Sequence, residues 1–171
     1  MRVRHVGAAL LAAWFGWAGG AQAQAPAAAT APTLVGRTMQ PAAVDLQALR
    51  GKVVLVFFWS TDCAVCLDKL PELRRNLDGW RGKDFEILAV SQDRRLADLA
   101  AYEKVLDKVV APNPQMKIVW RRDPVHRDSF GDLPVNVPTT VVIDRAGKVV
   151  KQVQGRVPAE LWDDVAELVL N

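Results

Sequence analysis

The apolar patterning of this chain predicts an α/β domain of three layers around a central mixed β-sheet flanked by helices. Two observations carry that expectation. Short β-branched and aromatic runs alternate with segments whose apolar residues recur every three or four positions, as strands alternate with amphipathic helices. Beyond a third strand, two more runs face each other across a glycine-containing turn, so part of the sheet runs antiparallel before a last helix closes the chain.

Asp45 is placed to cap a short helical turn through Leu49. Val53 to Phe58 is continuously apolar, as expected of a strand buried on both faces. From Cys63 the residues Cys66, Leu67, Leu70, Leu73 and Leu77 recur at helical spacing, with Ser60, Thr61 or Asp62 available as cap and Gly79 as stop. Pro71 falls inside this helix. Phe85 to Val90 predicts a second strand, Leu96 to Val109 a helix ended by Pro112 and Pro114, and Met116 to Trp120 a weaker strand. Thr139 to Ile143 and Val149 to Val153 form the hairpin, and Pro158 opens a helix through Val169.

The N-terminal residues have another character. Arg2 and Arg4 precede an apolar run from Val6 to Ala18, Gly19-Gly20 breaks it, and Ala21-Gln22-Ala23 fits a small-x-small cleavage site. Residues 1–23 therefore read as a signal peptide for export to the periplasm, cut near Ala23. The run falls short of the roughly 20 apolar residues of a membrane span; an uncleaved anchor is the alternative. Residues 24–33 form an Ala/Pro-rich flexible linker and residues 34–171 the folded domain.

Charge and cysteine content narrow the function. Lys and Arg number 22 against 19 Asp and Glu; without Arg2 and Arg4 the balance is 20 to 19, a net charge of +1. That excludes charge-driven nucleic-acid binding. Two cysteines can supply neither a multi-bridge scaffold nor a four-cysteine zinc site.

Those two cysteines stand three apart, after the buried strand, in Phe58-Trp59-Ser60-Thr61-Asp62-Cys63-Ala64-Val65-Cys66. A thiolate at a helix start faces unpaired N–H groups and the positive end of the helix dipole, which favour its charged form. Cys66 falls one turn later on the same face. Cys63 is then the exposed attacking sulfur and Cys66 the shielded resolving one. A purely structural bridge closing so short a loop would gain little. Zinc would need ligands that are missing, since His126 is the one histidine after the leader.

The set Trp59-x-x-x-Cys63-x-x-Cys66, Pro71 eight residues past Cys63, and Val137-Pro138-Thr139-Thr140 resembles thioredoxin. Leu49-Arg50-Gly51-Lys52-Val53-Val54-Leu55-Val56, Leu70-Pro71-Glu72-Leu73 and Ile143-Asp144-Arg145-Ala146-Gly147-Lys148-Val149-Val150 are similar to its extracytoplasmic TlpA/ResA branch. The resemblance spans about Asp45 to Asn171 and implies a thioredoxin-like sandwich. It also implies that Pro138 is cis and that the backbone of Val137 pairs with an extended substrate segment. Glu86, an acid within an apolar strand, matches an active-site glutamate of that branch, which implies a proton shuttle to Cys66; an exposed strand entrance is its other reading. Pro134 is read as a loop proline.

Two departures stand out. Asp62 replaces the Trp that most relatives carry before the first cysteine; it disfavours the neighbouring thiolate, removes an apolar contact and can also serve as a cap. Ala64-Val65 adds no positive charge between the cysteines, which favours a reducing or intermediate pair over a strong oxidant. Asp62, Ala64, Val65, Val137 and Pro138 are thus the expected substrate-binding residues, and Cys63, Cys66 and Glu86 the catalytic ones. His126, in a charged stretch, is expected at the solvated surface.

The expected function is an exported oxidoreductase that reduces disulfides of proteins, with apocytochrome c or copper-assembly proteins as partner classes and a thiol-reducing membrane donor. It would act as a monomer, with no cofactor, no metal and no nucleic acid. The alternative is a thioredoxin-fold copper chaperone using both thiolates and His126. Such chaperones resemble Cys-x-x-x-Cys with a histidine near the late hairpin, whereas here the spacing is shorter and residues 137–153 hold no histidine. A peroxidase reading lacks its Pro-x-x-x-Thr-x-x-Cys arrangement.

Overall fold

The computed structural model describes residues 31–40, 42–131 and 136–171. The expected signal peptide, linker residues 24–30 and Pro134 lie outside them. In chain order come strands β1 (Leu34–Arg37) and β2 (Ala43–Asp45), a 3₁₀ turn (Leu46–Leu49), β3 (Val53–Trp59) and helix α1 (Ala64–Asn76). A second 3₁₀ turn (Leu77–Trp80), β4 (Phe85–Ser91), α2 (Leu96–Val109), β5 (Met116–Trp120) and β6 (Arg127–Asp128) follow. The chain ends with β7 (Thr139–Ile143), β8 (Val149–Gln154) and α3 (Glu160–Leu170).

The longest apolar runs lie in the middle of the sheet. Its order is β5-β4-β3-β7-β8, with β3, β4 and β5 parallel and β7 and β8 antiparallel to their neighbours. All seven residues of β3 are buried, because both faces of that strand are covered. One face packs Val53, Leu55, Phe57 and Trp59 against the helices, through Cys66, Leu70 and Leu73 of α1, Leu99 and Leu106 of α2, and Leu161 and Val165 of α3. The connections β3-α1-β4 and β4-α2-β5 lie on this face, consistent with the common right hand of parallel crossovers.

The other face differs from the expected layer of helices. Val54, Val56, Phe58, Leu88 and Val90 are covered by Leu34, Val44 and Leu46. These belong to a small antiparallel sheet, order β2-β1-β6, and the turn after it, capped by the Asp45 carboxylate on the Gln47 N–H. Its strands have four, three and two residues, too few for a period of two to declare itself. The start of the domain is fastened too: the Thr33 N–H donates to the Ser129 hydroxyl at 2.9 Å and Gln47 Nε2 donates to the Pro32 carbonyl at 3.0 Å.

Most helix boundaries follow the sequence. Pro71 sits within α1 as expected. Gly79 does not stop that helix: α1 ends at Asn76 and Gly79 lies in the 3₁₀ turn beyond it. In the hairpin, Asp144 accepts the Lys148 N–H, and Gly147 takes a positive φ of 74°, which a side chain would resist.

Candidate active site

β3 delivers the chain to a tight turn in which the Cys63 N–H donates to the Ser60 carbonyl at 3.2 Å. Cys63 itself is the N-cap of α1, in extended conformation, and its sulfur accepts the Cys66 N–H at 3.2 Å. None of Ser60, Thr61 and Asp62 caps the helix; Asp62 instead accepts a hydrogen bond from the Ser60 hydroxyl. The first turn of α1 thus aims its N–H groups and dipole at Cys63. Cys63 and Cys66 are joined, with S–S 2.06 Å and Cα–Cα 5.2 Å. Cys63 is partly exposed, whereas Cys66 is fully buried among Leu70, Trp59 and the helix-facing core. An incoming sulfur therefore meets Cys63.

Around the pair, Asp62 and Ala64 are exposed and Val65 and Val137 half-buried. The Val137–Pro138 peptide is cis, and Val65 and Pro138 line a crevice of about 70 Å³ with Phe57, Lys69, Glu72 and Arg156. Lys69 and Glu72 form an ion pair at 2.8 Å on the exposed side of α1. The Gly155 N–H donates to the Pro138 carbonyl at 2.8 Å, tying this loop to β8. Beneath the turn Trp59 is wholly buried, its ring 5.3 Å from that of Tyr102, whose hydroxyl donates to the Leu67 carbonyl. Burial raises the Tyr102 phenol above its ordinary range.

Glu86 does not join this site. It is buried, but its two carboxylate oxygens each accept from an ammonium, Lys52 Nζ and Lys117 Nζ, both at 2.7 Å. Pairing places Glu86 beside Val54 and Ser91 beside Trp59, so five residues separate Glu86 from the cysteine end, roughly 16 Å at strand rise. Alternation along β4 also turns it to the face of the small sheet, away from Cys66. At that distance and on that face Glu86 does not serve Cys66 as the expected proton shuttle. The acid is satisfied by lysines at the sheet's other end, which answers the cost of burying it.

His126 also departs from expectation. It is buried beside Gly36 and Val119, on the face opposite Cys66, with Nε2 2.8 Å from Asp128 Oδ2. Arg121 grips the same Asp128 carboxylate at 2.6 and 2.7 Å and lies 5.1 Å over the Phe58 ring. Burial pushes the Asp128 carboxyl up, but the hydrogen bonds from His126 and Arg121 outweigh it and hold the group well below the usual carboxylate range. The histidine braces β6, and the copper-chaperone alternative loses its third ligand. Among the described residues no three His, Cys, Asp or Glu side chains cluster as a metal site.

Sequence reading missed Asp93. It follows β4, is buried, and accepts both the N–H of Thr61 at 2.8 Å and its hydroxyl at 2.7 Å. A hint was present: a polar Ser91-Gln92-Asp93 stretch at the carboxyl end of a buried parallel strand, where α/β sheets place their sites.

Thiol–disulfide exchange is the chemistry that a bonded, one-side-exposed cysteine pair at a helix start can perform, and with a thioredoxin-like sheet beneath it the molecule falls in the class of disulfide oxidoreductases. The chain belongs to the AhpC/TSA family, whose model matches residues 22–152. It is 30% identical over 129 residues to the thiol-disulfide oxidoreductase ResA of Bacillus thuringiensis strain Al Hakam, covering 73% of this chain and 68% of that one. The ResA of Bacillus subtilis strain 168 is 26% identical over 139 residues, covering 81% and 73%. Among solved structures, a putative thiol:disulfide interchange protein DsbE from Chlorobium tepidum superposes with a TM-score of 0.64 at 25% identity, over 82% of this chain and 95% of that one. The protein is a thiol-disulfide oxidoreductase similar to ResA, as the cysteine pair and these relatives together show.

Proposed function

We propose that the protein works in the reducing direction, outside the cytoplasm, with Cys63 as nucleophile and Cys66 as resolving thiol. The observation that carries the assignment of the two sulfurs is the asymmetry of the pair: Cys63 is partly open to solvent at the helix start and Cys66 is enclosed. The Cys63 thiolate attacks one sulfur of a substrate disulfide, forming a mixed disulfide and expelling the other substrate sulfur as thiolate. The Cys66 thiolate then attacks Cys63, releases the second substrate sulfur and closes the Cys63–Cys66 bridge. Two electrons pass to the substrate, and a thiol-reducing membrane donor must return them.

Asp62, Ala64, Val65, Val137 and Pro138 form the rim against which an extended substrate segment would lie, with Val137 offering backbone pairing. Export rests on the leader-like residues 1–23; among the described residues no helix is long and apolar enough to cross a membrane. Apocytochrome c and copper-assembly proteins are the partner classes for such a reductant, and the chain would act as a monomer.

Direction is tested by equilibrating the pair with glutathione buffers. With no cation at positions 64 and 65 to favour the thiolate, the expected potential lies near that of thioredoxin, about −270 mV. A value near that of DsbA, about −120 mV, would overturn the reductase reading.

A further inference from the structure

β4 leaves the sheet through Ser91 and Gln92 into Asp93, a carboxylate 5% exposed that the exchange steps above do not use. Oδ1 accepts the N–H and the hydroxyl of Thr61, and Oδ2 accepts the Ser91 hydroxyl at 2.6 Å. Its own N–H donates back to the Ser91 hydroxyl at 3.1 Å, and its carbonyl accepts Trp120 Nε1 at 2.8 Å. The residue is therefore fixed by the ends of β4 and β5 and in turn fixes the turn after β3. Among the described residues the three donors to its carboxylate are neutral, so they disperse its charge without cancelling it.

Thr61 is the second residue of the turn that Cys63 closes onto Ser60. Two residues span at most about 7 Å, which puts the Asp93 carboxylate on the order of 10 Å from the Cys63 sulfur. We propose that Asp93 is a positioning residue for Cys63: it holds the turn that presents the sulfur, and its buried negative charge opposes formation of the Cys63 thiolate and keeps the pair reducing. This rests on the thiol–disulfide reading above.

A like charge at that distance, in a surrounding of effective dielectric about 20, changes the thiolate-to-thiol ratio by roughly tenfold. Disfavouring the thiolate disfavours the dithiol relative to the disulfide, which makes the pair the better reductant. Other charged groups lie on the elements packed here: Asp62 next to Cys63 in the chain, Asp68 and the Lys69–Glu72 pair on α1 and Arg156 in the crevice that Val65 and Pro138 line, and Arg122, whose Nε lies 3.5 Å from the carbonyl of Gln92, the residue before Asp93. They are common to all variants, so a difference between variants reports Asp93.

The test uses Asp93→Asn, which keeps an acceptor for Thr61 and removes the charge, and Asp93→Ser as a second, smaller neutral replacement. Three quantities are read on each reduced protein and on the unsubstituted chain: the pH profile of Cys63 alkylation by iodoacetamide, located by mass spectrometry; the equilibrium with glutathione; and Tm. Both variants should move the alkylation midpoint to lower pH, react up to about tenfold faster below the original midpoint, and shift several-fold toward the dithiol in glutathione. A fall in Tm with midpoint and equilibrium unchanged within twofold in both variants, or a midpoint moved upward, would overturn the proposal and leave Asp93 a purely structural brace. Failure of the unsubstituted chain to exchange with glutathione at all would instead remove the redox reading on which the proposal stands.

Discussion

Strand β4 serves two buried carboxylates, one near each end of the sheet, and they are held in opposite ways. Glu86, at the amino end, is neutralised by two ammonium groups, Lys52 just before β3 and Lys117 on β5, that reach in from partly exposed positions. Asp93, past the carboxyl end, is held by the amide and hydroxyl of Thr61, in the turn that carries Cys63, and by the hydroxyl of Ser91 at the end of β4. Burial alone would nominate either as the acid that serves the cysteines. Parity along the strand and distance from the cysteine end decide between them, and they exclude Glu86. Asp128, buried on the small-sheet side in the grip of Arg121 and His126, is a third case that concerns stability alone.

That contrast can be broken by substitution. The largest effect belongs to the sulfur: Cys63→Ala should reduce the exchange rate with a disulfide-bonded test protein to the uncatalysed background, and residual turnover would mean Cys66 also attacks. Next comes Asp128→Ala, expected to cost about 3 kcal/mol in denaturant unfolding because it strands the buried Arg121 charge, while leaving glutathione exchange intact. Because the folded Asp128 carboxyl sits below its unfolded value, the stabilisation it brings is complete above about pH 4. It drains away as the pH falls through the strongly acid range. Unfolding free energy measured against pH should show that acid loss in the unsubstituted chain and a weaker one in Asp128→Asn. The smallest effect is Glu86→Gln: roughly 1 kcal/mol of stability, since both lysines can turn to water, with exchange rates within about twofold. A tenfold loss of exchange in that variant would restore the proton-shuttle role that its geometry denies.

The parts of the molecule that were legible beforehand are those with long local patterns. β3, α1, α2, the late hairpin and α3 each span enough residues for period or turn chemistry to be read directly. The same holds for the cysteine turn, where strand end, helix start and three-residue spacing are all local. The second layer was hidden because its strands are very short and pair residues far apart, Leu34 with Asp128 among them. Glu86 was misplaced for a related reason. Alternation shows that it shares a face with Leu88 and Val90, but only the register and the packing of α1 reveal which face Cys66 occupies. Asp93 went unseen because its meaning lies in Thr61, 32 residues earlier. The burial of His126 is hidden in the sequence because its flanking charges fold inward, Asp128 as its partner and Arg121 as the second group on that same carboxylate.

The most direct measurement is covalent trapping. Cys66→Ala, reduced and mixed with oxidised insulin, should accumulate a mixed disulfide that mass spectrometry places on Cys63, and the Cys63→Ala chain should form none. Adducts through Cys66 in the Cys63→Ala chain at comparable yield, or no adduct with either, would contradict the assignment of Cys63 as the attacking sulfur.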